Sequence, residues 1–477
     1  VTTPPPECPA HASGPAGVRR LYDPEAEADP MGVYEKLRAE HGAVAPVLLH
    51  DDLPAWLVLG YRENLEVLRT PSRFSSDSRR WSVFQQGQLR PEHPLAPTIS
   101  WQPLVVFADG EEQKRLRGAV SRGMGRFNRH GIRRHVTRVS HQLIDQFAAV
   151  GSADLVPQFA EQLPLLVMTN LLGLPEEEGP RLAEACRDLM KGTETSGASY
   201  VHILESLTRL VAEKHADSGH DLASWLIEDA AAFSDDEVIQ HLRLVLVAAN
   251  ETTANLIAGM VKLVLTDPRF RGNLSGGHMT LPDGLEQVLW DEPPLWVMPA
   301  RYATGPMELG GQRIEEGDML LLGLAAGNTD PAIRPDLVTP MHGNRSHLAF
   351  GGGPHECPGQ DIGRAIAETG IDVLLARLPD LRLTVEPDDL ARIPAWTSHH
   401  LAELPVEFTP RRPSEGEDTG VSARPAPREV IPQPMPQPEP QPQPSVATVA
   451  PVAAVPVPPG QMRRRSWWSA LRSWLRR

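Results

Sequence analysis

Phe350-Gly351-Gly352-Gly353-Pro354-His355-Glu356-Cys357-Pro358-Gly359 sets a single cysteine in a glycine-rich loop, directly ahead of an amphipathic run from Gln360 to Leu378. Glycine tolerates positive φ, so such a loop can turn tightly and aim backbone N–H groups at the sulfur. Those hydrogen bonds favour thiolate over thiol, as does the positive end of the helix that the run predicts. The arrangement suits a sulfur ligand to a metal. Two blander uses fit the same residues. One is a buried structural cysteine in a turn; the other is a zinc site, in which His355 and Cys357 need two further ligands.

A single axial thiolate is also the ligand set of haem enzymes that cleave O–O bonds, because sulfur pushes electron density onto iron. The order F-G-x-G-x-H-x-C-x-G resembles the haem-binding signature of cytochrome P450s. The resemblance covers roughly residues 20–410. It implies the cytochrome P450 fold, mainly α with a small β region, holding haem b between a long helix and the cysteine loop. Cys357 then stands as the iron ligand, with Phe350, Gly351, His355 and Gly359 beside the cofactor.

Bulk properties narrow the function from another side. A net charge of −15 argues against nucleic acid as a partner. Three cysteines (Cys8, Cys186, Cys357) are too few and too scattered for a disulfide framework, which fits a reducing cytoplasm. They also cannot ligate a [2Fe–2S] cluster beside Cys357, since such a cluster takes four. No G-x-G-x-x-G lies between a strand-like run and a helix, so no flavin or nicotinamide domain is evident. Reducing equivalents are expected from separate proteins. The Pro- and Ala-rich start, Val1 to Gly32, lacks the apolar core of a signal peptide. Nor does any run of about 18 apolar residues suggest a membrane span.

Four segments follow from composition. Residues 1–20 read as a disordered arm and 21–410 as the haem domain. Within that domain Trp56–Leu59 and Met319–Leu322 are the clearest strand candidates, and Asp217–His220 reads as a turn between helices. Residues 411–461 are proline-rich, as in Pro432-Gln433-Pro434-Met435-Pro436, and read as an extended spacer. In 462–477, Trp467, Trp468, Leu471, Trp474 and Leu475 share one helical face, and six arginines supply the rest of the segment with positive charge. Such a basic amphipathic helix suits the anionic inner face of the plasma membrane or an acidic protein. A basic end without a partner fits the same residues.

The longest predicted helix runs from Ser234 to about Leu265, opened by a capping box of Ser234 and Glu237. In its middle stands Ala248-Ala249-Asn250-Glu251-Thr252-Thr253. A mid-helix threonine can bond a preceding carbonyl and loosen the helix, and an acid beside it can relay protons. The segment resembles the P450 distal motif A-G-x-[D/E]-T, with Ala249 where glycine is usual. The resemblance assigns Glu251 and Thr252 as the catalytic acid and alcohol, with Ala248 against the haem. It likewise assigns Gln113, Arg117, Arg301 and His355 to the haem edge and its propionates, which favour charge-assisted hydrogen bonds.

One family feature is missing. P450s carry a Glu-x-x-Arg pair about seventy residues before the cysteine, and the local frame here is Leu285-Glu286-Gln287-Val288-Leu289-Trp290-Asp291-Glu292-Pro293-Pro294. Aligned on the prolines, Gln287 and Trp290 replace the pair; choosing Glu286 leaves Leu289 as partner. Arg334 or Arg345 are candidates to stand in for the arginine that completes this network. A well-packed apolar replacement for a buried ion pair can be neutral. Trp290 is therefore expected to fill the volume while its indole N–H finds a carbonyl.

The implied function is insertion of one oxygen atom of O2 into a small apolar organic substrate, fed by ferredoxin and ferredoxin reductase. A haem-bearing signalling or scaffold protein tethered by its tail is the alternative reading. Trp81, Phe84 and Trp101 are candidates for a substrate entrance, although packing is the commoner fate of such residues.

Overall fold

The computed structural model describes residues 18–412, apart from 91, 92, 94, 192–194 and 342. The proline-rich spacer, the basic tail and most of the N-terminal arm therefore lie outside the described residues. The last residues of that expected arm are ordered: Arg19–Arg20 forms strand β1 and pairs in parallel with β2 (Val44–Leu49). Leu21 follows it into the core at 4% exposure, which ties the segment down.

The small β region is a six-stranded sheet. β2 runs antiparallel to β3 (Leu53–Val58), and β3 runs parallel to β6 (Met319–Gly323) with Trp56 opposite Leu320. β6 pairs with β5 (Val297–Ala303), which pairs with the edge strand β4 (Phe74–Ser75). Both strand candidates of the sequence lie side by side at its centre, buried on both faces, as continuous apolar runs demand.

Helices dominate the remainder, beside smaller two- and three-stranded sheets, and enclose one large apolar core. Six concern the site: α1 (Gly110–Gly125), α2 (Arg129–Asp145), α3 (Gln162–Leu172), α4 (Asp235–Thr266), α5 (Leu281–Asp291) and α6 (Gln360–Arg377). α4 begins where the sequence predicts. The Ser234 hydroxyl accepts from the Glu237 N–H at 3.2 Å, and the Glu237 carboxylate accepts from the Ser234 N–H at 2.8 Å. These bonds satisfy two of the N–H groups that every helix start leaves unpaired.

At 32 residues α4 spans the domain. Among the described residues it is one helix long and apolar enough to cross a membrane. Leu242, Val245, Leu246, Leu256, Ile257, Met260 and Val264 are instead buried against α3, α5 and α6, as in the core helix of a globular fold. The expected turn at Asp217–His220 connects helices ending at Ala216 and starting at Leu222, where Asp221 caps the second by accepting from the Ser224 N–H.

Candidate active site

The cysteine loop is shaped by a short helical turn, Leu348–Phe350, and by two glycines with positive φ, Gly351 (+69°) and Gly353 (+65°). A Cβ on Gly353 would lie 2.2 Å from the Leu68 carbonyl oxygen, so glycine is required there on two counts. The Cys357 N–H donates to the Phe350 carbonyl at 2.9 Å, which closes the loop on itself. α6 starts three residues past the cysteine, with Gly359 as its N-cap. Burial pushes the Cys357 thiol up; the Gly359 N–H and the cations Arg117 and Arg364 oppose it. Cys186, by contrast, is buried without such donors, and its thiol is pushed up to about 12.

Across from the loop, α4 passes close to α6: a Cβ on Gly363 would lie 3.6 Å from the Thr253 hydroxyl. The neighbouring Thr252 hydroxyl donates to the Ala248 carbonyl at 3.0 Å. α4 remains continuous through 248–253, so this bond is made without breaking the helix, contrary to the loosening expected. Glu251 is about half exposed, and its carboxylate lies 3.9 Å from His400 Nδ1 on the hairpin formed by β7 (Arg392–Ala395) and β8 (Ser398–Leu401). His400 was not picked out in the sequence, because nothing local marks a hairpin histidine as facing a helix 149 positions earlier.

A second group gathers beside the loop. Arg301, on β5, is 5% exposed, donates to the Ala300 carbonyl at 2.9 Å, and has no ion pair among the described residues. Burial lowers its guanidinium to about 10, partly offset by Asp109. His355 is pushed down to about 3, first by burial and then by the facing Arg301 and Arg117, so its ring is neutral; Nε2 meets the Ser76 hydroxyl at 3.0 Å. Arg117, on α1, donates to the Ser121 hydroxyl at 2.9 Å and to the Glu356 carbonyl. Burial lowers it too. Gln113, buried one turn earlier, donates its amide to the Pro354 carbonyl at 2.7 Å and so braces the loop. Two desolvated guanidiniums facing a histidine, with no carboxylate among the described residues paired to them, form a donor set complementary to two carboxylates. Haem propionates fit that set, and the Cys357 sulfur has the chemistry of an axial haem ligand.

Neither Leu289 nor Trp290 restores the pair within α5, but a buried ion pair that the sequence reading did not assign stands beside them. Glu286 is 2% exposed, and its partner comes from the far side of the cysteine loop rather than from its own helix. Arg364, on α6, donates Nε to Oε1 at 2.7 Å and Nη2 to Oε2 at 3.1 Å. His347 Nε2 meets Oε2 at 2.8 Å, and Arg345 approaches Oε1 at 3.4 Å. Burial alone would raise the Glu286 carboxyl, but hydrogen bonds from His347 and Arg364 outweigh it and hold the group at about 2. Gln287 bonds Asp291 at 2.6 Å and accepts from the Met341 N–H at 2.7 Å, while Arg334 pairs with Asp291 at 2.7 Å. Arg364 could have been found in the sequence as a lone charge among Ile362, Ala365 and Ile366 on the buried side of α6.

No protein-family model matches the chain. Individual relatives do. The chain is 31% identical over 404 residues to the 2-hydroxy-5-methyl-1-naphthoate 7-hydroxylase of Streptomyces carzinostaticus, covering 82% of this chain and 97% of that one. The chain is a cytochrome P450. It is also 31% identical over 406 residues to the P450 monooxygenase PikC of Streptomyces venezuelae, covering 82% and 94%. Among solved structures, the P450 CYP154C4 from Streptomyces sp. W2061 superposes with a TM-score of 0.73 at 26% identity, covering 79% of this chain and 95% of that one. As a P450 it is a haem b monooxygenase of the bacterial type and an oxidoreductase.

Of the three aromatic candidates for an entrance to this P450, Trp81 is 1% exposed and packs against Tyr302. Trp101 is exposed, with the Arg79 guanidinium 4.3 Å over its ring. The segments near Glu161 and Ser199 border an open cleft of about 540 Å³ whose walls include Glu161, Arg181, Glu184 and His202. Its lining is charged and includes none of the loop or α4 residues.

Proposed function

We propose that this P450 hydroxylates a small apolar organic substrate, R–H + O2 + 2e⁻ + 2H⁺ → R–OH + H2O, with electrons from a ferredoxin and its reductase. Bound haem would supply the oxygen-activating chemistry. Cys357 would hold its iron, while Arg117, Arg301 and His355 would hold its propionates; Gln113 would fix the loop beside them. Phe350, Gly351 and Gly359 would shape the cradle, and Ala248 would border it from α4.

The observation that carries this reading is the placement of Glu251 and Thr252 side by side on α4, the first half exposed and the second with its hydroxyl bonded back to its own helix. Thr252 keeps its hydroxyl on α4 bonded to Ala248, one residue from the crossing with α6. Glu251 reaches solvent, where a carboxyl can exchange protons and pass them inward. A protein that merely carried haem would have no use for that pair. A small organic substrate draws support from a relative named for hydroxylating a methylated naphthoate, an aromatic ring system that also carries a carboxylate. Two electrons must arrive from outside, because the sequence holds too few cysteines for an iron–sulfur cluster of its own.

The test is turnover of aromatic and terpenoid candidates with surrogate ferredoxin, reductase and NADPH under ¹⁸O2. Product carrying one ¹⁸O supports the assignment. Haem-loaded protein that consumes NADPH without oxygenating any candidate favours the tethered haem-scaffold reading.

A further inference from the structure

Glu286 touches both flanks of the cysteine loop at once. On the entering side, His347 bonds its Oε2 and caps the turn Leu348–Phe350, since His347 Nδ1 accepts from the Ala349 N–H at 3.2 Å. On the leaving side, Arg364 forks onto both carboxylate oxygens from α6, seven residues past Cys357. The same guanidinium lies 4.4 Å over the ring of Phe350. Phe350 in turn accepts the Cys357 N–H. A contact path thus runs from a buried carboxylate on α5, through one arginine and one aromatic ring, to the backbone of the cysteine.

We propose that Glu286, Arg364 and His347 together set the position of the Cys357 loop, replacing the absent Glu-x-x-Arg pair with a partner taken from α6. Glu286 and Arg364 are positioning residues; the inference rests on Cys357 being the iron ligand. The replacement is physically sound. A buried carboxylate is tolerated when its lone pairs are filled by good donors, and here three hydrogen bonds converge on it, with the Arg345 guanidinium 3.4 Å away as a further counter-charge. The loop's own glycines cannot supply this restraint, because Gly351 and Gly353 make the backbone permissive. Trp290 closes the space on the other side, stacked against Tyr61 and edge-on to His347.

The CO difference spectrum of the reduced holoenzyme tests this, read as the ratio of the red-shifted thiolate band to the band of the thiol form. Haem content and far-UV circular dichroism are recorded beside it. E286Q keeps the volume and releases Arg364 from its counter-charge. If Arg364 acted only as a cation near the sulfur, E286Q would keep or strengthen the thiolate band. Positioning requires the opposite, a several-fold fall in the ratio at full haem content and helicity. R364K keeps the cation but loses the fork and the plane over Phe350, and the ratio should fall several-fold there too. R133M, which breaks the surface pair with Glu368 on the same helix, should leave the ratio at the wild-type value. E286Q and R364K proteins with the wild-type ratio would overturn the proposal; should E286Q fail to fold, R364K alone decides it. A wild-type protein lacking the thiolate band would overturn the assignment of Cys357, and this proposal with it.

Discussion

The indole N–H of Trp290 donates to the carbonyl of Asn344 at 2.8 Å, joining α5 to the segment that leads into the cysteine loop. Trp290 is 2% exposed, and its ring lies between Tyr61 and His347. Where the family places a charged partner on this helix, this chain has a large apolar ring with one satisfied donor. The buried charge has moved one position back along the chain, to Glu286, and found its cation on another helix.

Removing that ring should be costly. Trp290→Ala is expected to destabilise the fold by about 3–5 kcal/mol through the cavity it leaves. Trp290→Phe should cost about 1–2 kcal/mol by orphaning the Asn344 carbonyl. Denaturant midpoints at a shared slope measure both.

Glu286 makes stability depend on acid. Its folded-state pKa, about 2, lies below the usual value of 4.5, so its contribution is present above pH 4.5 and is lost as pH falls toward 2. The shift corresponds to something on the order of 3 kcal/mol. Unfolding free energy followed from pH 6 to pH 2 should show this loss in the wild type, with a flatter profile in E286Q. Parallel profiles would assign the acid sensitivity to other carboxylates.

Gly353 admits no side chain. With φ at +65° and the Leu68 oxygen in the path of a Cβ, Gly353→Ala should lower stability by more than about 1–2 kcal/mol. Because the strain falls inside the loop, haem retention after gel filtration should drop with it. A variant with wild-type melting temperature and full haem would contradict the geometry.

On the proposed reading the hydroxyl of Thr252 serves chemistry rather than folding. Thr252→Ala removes one bond to Ala248 on a continuous helix, so the melting temperature should move little. Product formed per NADPH should fall at least several-fold, with peroxide rising to match. Unchanged coupling would take Thr252 out of the proton path and leave Glu251, with His400 beside it, to carry the proton.

The tail can be tested apart from the chemistry. Deleting Met462–Arg477 should weaken binding to vesicles containing anionic lipid and leave the haem spectrum unchanged. Equal vesicle binding by the truncated protein would remove the membrane reading and favour a protein partner or no role.

The sequence by itself determined the elements whose signals are local. The α4 start is a capping box within four residues. The two central strands are short apolar runs, and the cysteine loop is ten residues read in order. Trp290 finding a carbonyl was also legible, because a buried indole N–H has few alternatives. What only the tertiary structure decided are the contacts between distant segments. Glu286 and Arg364 stand 78 positions apart, and Glu251 and His400 stand 149 apart. No periodicity encodes such a meeting. Each helix displays a charge to whichever neighbour packing brings near, and a charge cannot stay buried unless that neighbour answers it.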